Sequence, residues 1–240
     1  MEPTSNRTRL TKKIALISLA IFFADASHST VIPIFPGFAQ DIGASLSMLG
    51  SYGSASALTM LLFSFPLGRL SDRYGRKKMM MPGLVLMILV PLTYTLASSP
   101  VSIYPIRMIL GLALGLTFGN GFLLMTESSD PETRNTAQGL YMTSMGIGFT
   151  VGPLIGGFTT KLYGSSFAFM ISSVFGVISL LLLYFVDETK SKPSGKKDAP
   201  TSFFGSIRDP KIFSGGVANF LNSLMYNAVT LFFPVYGAGI

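Results

Sequence analysis

Three ionisable side chains stand inside long apolar segments, where an amino-acid chain seldom keeps a charge. Asp25 and His28 lie in the first segment, and Arg107 lies in the fourth. Asp25 follows Ile14 by eleven residues, so a helical rise of about 1.5 Å per residue places it about 16 Å along that segment. Burial in hydrocarbon disfavours the charged form of an acid, which makes Asp25 a candidate for taking up and releasing a proton.

Two of these residues also have a structural interpretation that the sequence leaves open. Asp25 is either a proton carrier or a structural acid paired with a base. His28 lies three residues further on and therefore on a similar helix face. It is either part of a proton path or a hydrogen-bonded packing residue.

The composition identifies the surroundings of these residues as a membrane. The chain has 240 residues, of which 49% are hydrophobic and 12% charged, and its mean hydropathy is +0.53. Soluble domains contain about 25% charged residues. The net charge of +7 does not indicate nucleic-acid binding, because the charges cluster in short segments between uncharged runs. The absence of cysteine excludes a disulfide framework and a thiolate metal site, and we expect neither a metal nor a cofactor.

Seven segments are long and apolar enough to cross a bilayer as helices of about 20 residues. The predicted spans are 14–36, 44–67, 79–98, 102–124, 136–160, 164–186 and 212–236. Basic residues are enriched on the cytoplasmic side of membrane proteins. Sixteen of the 18 lie on one side of the predicted membrane, Lys161 lies on the other, and Arg107 lies inside span four. We therefore predict a cytoplasmic N-terminus.

The spans divide the chain into four regions. Residues 1–13 form a cytoplasmic N-terminus, 14–187 a six-helix bundle, 188–211 a basic linker and 212–240 a seventh helix. The linker is rich in Lys, Pro, Ser and Gly, which is typical of flexible connections. A new helix after such a linker indicates the start of a second bundle. We therefore expect a fragment whose partner is a missing C-terminal half.

The segment Gly68–Lys78, between spans two and three, carries five basic residues and one acid, and its two glycines predict tight backbone at both ends of a loop. The residues that form its pattern are Gly68, Leu70, Asp72, Arg73, Gly75, Arg76 and Lys77. This pattern resembles the signature loop of the major facilitator superfamily of secondary transporters. Charge asymmetry alone would also produce a basic turn, but it does not explain Asp72 or the paired glycines.

The resemblance implies that this loop latches the cytoplasmic side of the protein. Glu127 stands where the family often has an acid facing the loop, so we expect a charge cluster of Asp72, Arg76 and Glu127. Exposed ion pairs contribute only about 0–1 kcal/mol. Such a cluster still biases an equilibrium between two states if its energy differs between them. The alternative is an ordinary solvated face.

A second pattern lies in span five. Its residues are Gly139, Gly148, Gly152, Pro153, Gly156 and Gly157. The pattern resembles the antiporter motif of the drug–proton antiporters, the multidrug and tetracycline efflux proteins of the superfamily. Small residues four apart let two helix backbones approach closely, and proline bends a helix by removing a hydrogen bond. The resemblance implies that this motif forms a gate specific to antiporters. The alternative is ordinary close packing of helices by small residues.

Arg107, followed by Gly111, resembles the family's fourth-helix arginine motif, although Leu110 stands where glutamine is common. Spans one and four are neighbours in the family's fold, so we expect an Asp25–Arg107 ion pair that depends on protonation of Asp25. Polar residues form the candidate lining of a central cavity. They are Tyr52, Asn120, Thr126, Tyr141, Asn219, Asn222 and Asn227.

These resemblances imply an all-α integral membrane fold, with 3+3 inverted repeats in the six-helix bundle and a multi-pass place in the plasma or inner membrane. They also imply proton-coupled export of small amphipathic molecules or drugs by alternating access. The expected partners are a small-molecule substrate, protons and the lipid bilayer. The alternative is uptake or proton symport of sugars or organic acids by the same fold.

Two other classes of membrane protein fit the sequence poorly. A retinal protein needs a buried lysine, and span seven has none. An intramembrane enzyme needs catalytic residues, and the chain lacks a His-Glu-x-x-His pair, a Gly-x-Ser-x-Gly elbow and cysteine. We therefore expect a transporter and not an enzyme.

Overall fold

The computed structural model describes residues 3–189, with side chains from residue 12 onward, and four further positions, 210, 214, 221 and 225. By its internal contacts the chain divides into a unit of Met1–Ser191 and a unit of Lys192–Ile240. The architecture below is that of the first unit. The predicted linker and seventh helix lie almost wholly outside the described residues and stay predictions.

The described part of the first unit is helical and contains no strand. Its helices are α1 (Pro3–Val31), α2 (Phe35–Asp41), α3 (Leu46–Tyr74), α4 (Arg76–Tyr94), α5 (Ile103–Leu114), α6 (Asn120–Glu127), α7 (Arg134–Tyr163) and α8 (Ser165–Tyr184). A 3-10 turn, Pro100–Ser102, precedes α5, and a π-helical turn, Gly115–Gly119, joins α5 to α6.

Five stretches in the described residues are long and apolar enough to cross a membrane. They are Lys12–Asp41, Leu46–Tyr74, Arg76–Tyr94, Pro100–Glu127 and Ser165–Tyr184. These stretches overlap predicted spans one to four and six. Helix α7 coincides with predicted span five and has 30 residues, but it is less apolar because glycine, serine and threonine occupy much of it. The total of seven spans remains a prediction.

Six of these helices form two sets of three that share one arrangement. The first set is α1, α3 and α4, and the second is α5, α7 and α8. Gly75 alone joins α3 to α4, and Gly164 alone joins α7 to α8. The two pairs have nearly equal lengths, 29 and 19 residues against 30 and 20. Helix α1 packs mainly on α7 and α8, and α5 packs mainly on α3 and α4, which is the same arrangement with the sets exchanged. This plan agrees with the predicted 3+3 repeat.

The two single-residue connections depend on glycine. Gly75 has a φ of +105° and Gly164 a φ of +84°. A side chain is strained in this region of backbone space, whereas glycine enters it freely. The chain can therefore leave one long helix and begin the next within a single residue.

The hydrophobic core of the described unit lies where α1, α4, α6, α7 and α8 meet. Its large side chains include Ile17, Ile21, Met80, Leu84, Met87, Leu124, Tyr141 and Leu183. Hydroxyl groups on α8 add hydrogen bonds to neighbouring backbones. Ser179 Oγ donates to the Ala20 carbonyl at 2.7 Å, and Ser173 Oγ to the Ile88 carbonyl at 2.8 Å. Such bonds contribute about 0.6–2 kcal/mol each in membranes.

Helices α1 and α7 meet through glycine. A Cβ built on Gly148 would lie 2.5 Å from the Phe22 carbonyl oxygen. On Gly152 it would overlap Ser29 Oγ, and on Gly156 the Thr30 carbonyl oxygen. Backbone contact of this kind requires that one partner have no side chain.

The other glycines of the span-five motif are not part of this contact. A Cβ on Gly139 or Gly157 would meet nothing within 4 Å, and both residues are exposed. Pro153 is partly exposed inside the continuous helix α7. The motif therefore divides into a buried packing ladder and positions that the α1–α7 contact does not use.

We predict opposite effects for the same substitution at two glycines of this motif. Gly152→Ala forces α1 and α7 apart and destabilises the fold by about 1–3 kcal/mol, the range for an overpacked core. Gly157→Ala adds a methyl group in open space and stabilises α7 by up to about 1 kcal/mol, because alanine is the better helix former. Thermal melting of the detergent-solubilised protein, followed by circular dichroism, measures both. Equal melting temperatures for the two variants would contradict the close packing.

Candidate functional site

The sequence suggests that the Gly68–Lys78 segment is an open loop, but the structure shows that it is helical on both sides of Gly75. Helix α3 continues through Gly68 to Tyr74, and α4 begins at Arg76, so Gly75 is the sole connecting residue. Gly68 is an exposed helical residue whose Cβ position is empty, and the prediction of tight backbone there was wrong. The reason is that the single reversal at Gly75 already turns the chain.

Arg76 is the centre of the charge cluster at this junction. Its NH2 group lies 2.6 Å from Asp72 Oδ1, and its Nε lies 2.9 Å from Glu127 Oε1. The Arg76 side chain is 9% exposed, whereas that of Asp72 is 65% exposed. The structure therefore brings together the three residues expected from the sequence, with the guanidinium buried and one acid at the surface.

Hydrogen bonds extend this cluster to two further helix ends. Arg76 NH1 donates to Ser71 Oγ at 2.9 Å, and Ser71 Oγ donates to Asn120 Oδ1. Thr189 Oγ1 donates to Glu127 Oε2 at 3.0 Å. One guanidinium thus connects α3, α4, α6 and the segment that follows α8.

Glu188 is a member of this junction that sequence reasoning missed. Its carboxylate accepts hydrogen bonds from the backbone N–H groups of Lys77 at 2.9 Å and Lys78 at 3.0 Å, at the start of α4. It fills the space beside Gly75, where a Cβ would lie 2.6 Å from Glu188 Cδ. A carboxylate at a helix N-terminus satisfies free amides and favours the helix dipole. No local sequence pattern near residue 188 predicts its contact with Lys77, 111 residues earlier in the chain.

The remaining basic residues of the segment lie at its surface. Arg69 stacks over the Phe65 ring at 4.2 Å, and Arg73 is exposed, 5.5 Å from the ring of Tyr74. Lys77 Nζ donates to the Tyr184 carbonyl at 2.8 Å, which adds another tie between α4 and α8.

Asp25 lies in the interior of the bundle. The residue is 2% exposed, and its Oδ2 has no hydrogen-bond partner among the described residues. It faces the glycine ladder, since a Cβ on Gly148 would lie 3.1 Å from Asp25 Cβ. Tyr141 is near enough to interact with its charge. An acid without a buried base is favoured in its neutral form.

The expected ion pair between Asp25 and Arg107 does not form, and that prediction was wrong. The two ion pairs found among the described residues both belong to Arg76. The Arg107 guanidinium instead stacks on Phe35, 3.4 Å from its ring centroid, with Tyr94 at 5.7 Å. Asp25 faces α7, whereas Arg107 faces α2 and α4, so the two charges point to different neighbours.

His28 shares a cavity with Arg107. The cavity lies between α1, α4 and α5 and holds about 350 Å³ of empty space, including space open to solvent. Its lining residues are Ser27, His28, Val31, Ile32, Met87, Val90, Pro91, Tyr94, Arg107 and Leu110. His28 is therefore grouped with the base and not with Asp25, although the two residues are three apart on α1.

The predicted cavity-lining polar groups bond to backbone instead. The hydroxyl of Tyr52 donates to the Pro100 carbonyl, and that of Tyr141 to the Phe118 carbonyl, each at 2.8 Å. Asn120 donates to the Leu116 carbonyl of the preceding π-helical turn and Thr126 to the Phe122 carbonyl of α6, also at 2.8 Å. Asn219, Asn222 and Asn227 lie outside the described residues.

Comparison with known proteins identifies the family. Residues 17–240 match the family model of the Major Facilitator Superfamily. The chain belongs to the Major Facilitator Superfamily. It is a multi-pass membrane protein of a transporter family and not an enzyme, which confirms the sequence-based prediction.

Superfamily members of known name resemble the chain over most of its length. The multi-drug resistance efflux pump PmrA of Streptococcus pneumoniae is 30% identical over 202 residues, covering 79% of this chain and 49% of the pump. The 4-hydroxybenzoate transporter PcaK of Pseudomonas aeruginosa is 30% identical over 172 residues, covering 71% and 36%. The chain spans about half the length of the curated relatives it matches.

A solved structure shows the same superfamily fold. A bacterial homolog of the human lysosomal transporter Spinster, in an inward-facing and unoccupied conformation, superposes with a TM-score of 0.70 at 17% identity. The superposition covers 98% of this chain and 56% of that one. This likeness shows that the chain shares the fold of that protein.

We predict that the junction at Gly75 depends on Arg76 far more than on its neighbour Arg73. Arg76→Gln removes both ion pairs and leaves Glu127 partly buried without its cation, so we expect a loss of about 1–3 kcal/mol. Arg73→Gln removes the same charge from an exposed position and changes stability by less than about 0.5 kcal/mol. Thermal melting in detergent compares the two, and equal losses would argue against the cluster.

Proposed function

We propose that the chain forms one six-helix half of a secondary active transporter that exports small amphipathic molecules in exchange for protons. The observation that carries this proposal is Asp25, a carboxyl group buried in the bundle without a partner among the described residues. Ionisable residues at such depth in membrane proteins mark ion and proton pathways. The similarity to efflux pump PmrA supports the export direction.

The proton acts in this proposal by changing how Asp25 fits its surroundings. Neutral Asp25 is compatible with the close contact of α1 and α7, because an uncharged carboxyl needs little solvation. Ionised Asp25 needs water or a positive partner, and so favours an arrangement that admits one. The two conformations then bind the proton with different affinities, so protonation of Asp25 shifts the equilibrium between them, as alternating access requires.

The Arg76 junction serves as the proposed cytoplasmic latch. It ties the ends of α3, α4 and α6 to the segment after α8. If a second six-helix half packs on this surface, the intact junction would favour one of the two states of the transporter. The greater length of the relatives supports the need for such a half, and we propose that transport requires it.

Proton-coupled uptake of organic acids is the second candidate function. The similarity to the 4-hydroxybenzoate transporter PcaK favours it, as does the placement of Arg107 in a cavity. Sugars are the weaker option within this candidate, because hydroxyl-rich ligands need several polar partners. The described lining of the cavity is mostly apolar.

We predict that Asp25→Asn abolishes proton coupling while the fold is retained. The amide cannot release a proton, so substrate movement driven by a pH gradient falls at least tenfold in proteoliposomes that contain both halves. Exchange of labelled for unlabelled substrate, without a gradient, persists. Asp41→Asn is the control, because it removes an exposed acid at the end of α2.

The assay uses a dye, a drug, a sugar and 4-hydroxybenzoate, with the internal pH followed by a trapped indicator. Gradient-driven transport by Asp25→Asn at the unchanged rate would refute the coupling role. Robust gradient-driven transport by the 240-residue chain alone would refute the need for a second half.

A further inference from the structure

Arg107 is a cation inside the bundle with no anion beside it in the described part of the chain. Its Nε is buried and has no hydrogen-bond partner there, and it takes part in neither ion pair. The residue as a whole is only partly exposed, and a charge held largely away from water without a partner is disfavoured. No described carboxylate neutralises it.

Aromatic stacking satisfies only part of the guanidinium. Phe35 covers one face at 3.4 Å, and the Tyr94 ring lies at 5.7 Å. Stacking uses the flat face of a guanidinium, while its N–H donors point outward in the plane. The ring contacts thus hold the group in place and leave its donors for a ligand in that plane.

The cavity beside Arg107 has one polar side and otherwise apolar walls. Val31, Ile32, Met87, Val90 and Leu110 supply the apolar lining. Ser27 is engaged by α8, since Ser172 Oγ donates to the Ser27 carbonyl at 2.7 Å and lies 3.4 Å from Ser27 Oγ. Arg107, His28 and Tyr94, whose hydroxyl has no hydrogen-bond partner among the described residues, remain as the polar lining groups.

We propose that this cavity is an anion subsite that binds the carboxylate of a small organic acid. The carboxylate accepts hydrogen bonds from the Arg107 guanidinium in its plane, which is the geometry that arginine offers to carboxylates. The hydrocarbon part of the acid lies against the Val31, Met87 and Leu110 walls. Small inorganic anions share the charge but lack the apolar part.

This subsite would give the proposed transporter a preference for anionic over cationic substrates, and in that sense it rests on the proposed function. Binding is measured without transport, so the two proposals can fail separately. Bound benzoate without gradient-driven flux of any compound in the transport panel would leave the subsite in place and remove the transport proposal. Flux of benzoate that is unchanged in an Arg107 variant would remove the subsite alone.

The test is equilibrium dialysis of the purified chain in detergent against radiolabelled benzoate. Benzamide, a neutral molecule of the same shape, and chloride serve as competitors. Arg107→Gln removes the charge, Arg107→Lys keeps the charge without the planar fork, and Arg69→Gln removes an exposed charge as the matched control. Leu110→Phe narrows the cavity with every charge kept, in case Arg107→Gln fails to fold.

We expect saturable benzoate binding to the wild type and to Arg69→Gln. Arg107→Gln and Leu110→Phe should bind at least tenfold more weakly, Arg107→Lys should be intermediate, and benzamide should not compete. Displacement of benzoate by chloride would support the anion subsite and extend it to inorganic anions. Absence of saturable binding, competition by benzamide, or equal affinity in Arg107→Gln would overturn the proposal.

Discussion

The direct contact of two helix backbones, α1 against α7, determines where the charges of this bundle lie. Gly148, Gly152 and Gly156 leave no side chain between the helices. Asp25 is held on that contact face, where it is almost fully buried and no base of the described residues pairs with it. An adjacent side of α1 forms a cavity with α4 and α5. Asp25 and Arg107 are separated because Asp25 of α1 faces α7, whereas Arg107 of α5 faces α2 and α4.

The sequence predicted the parts of this fold that depend on repetition. Long uncharged runs, asymmetric basic residues and glycines four apart each follow from a general constraint on chains in hydrocarbon. For that reason the helices of the first unit, the buried glycine ladder and the grouping of Asp72, Arg76 and Glu127 were all expected. Membership of the superfamily followed from the same residues and was confirmed by the family model.

The features that the sequence did not reveal depend on single contacts between distant residues. Glu188 caps α4 only because the end of α8 lies beside Gly75, and no spacing encodes that proximity. Arg107 stacks on Phe35 of the short helix α2, and these two residues lie far apart in the sequence. At Gly68 the sequence instead predicted a feature that is absent. The glycine of the motif suggested a turn, but helix α3 continues unbroken through it. Charge and composition did not specify these partners.

The one-residue connections at Gly75 and Gly164 have a mechanical consequence. A link without spare length prevents two joined helices from sliding along each other. The pairs α3–α4 and α7–α8 therefore behave as rigid helix pairs, with their connecting glycines at opposite ends of the bundle. A rearrangement of this unit would tilt each pair as a whole against α1 and α5. A small tilt about Gly75 or Gly164 would produce its largest displacement at the distant ends of the two joined helices.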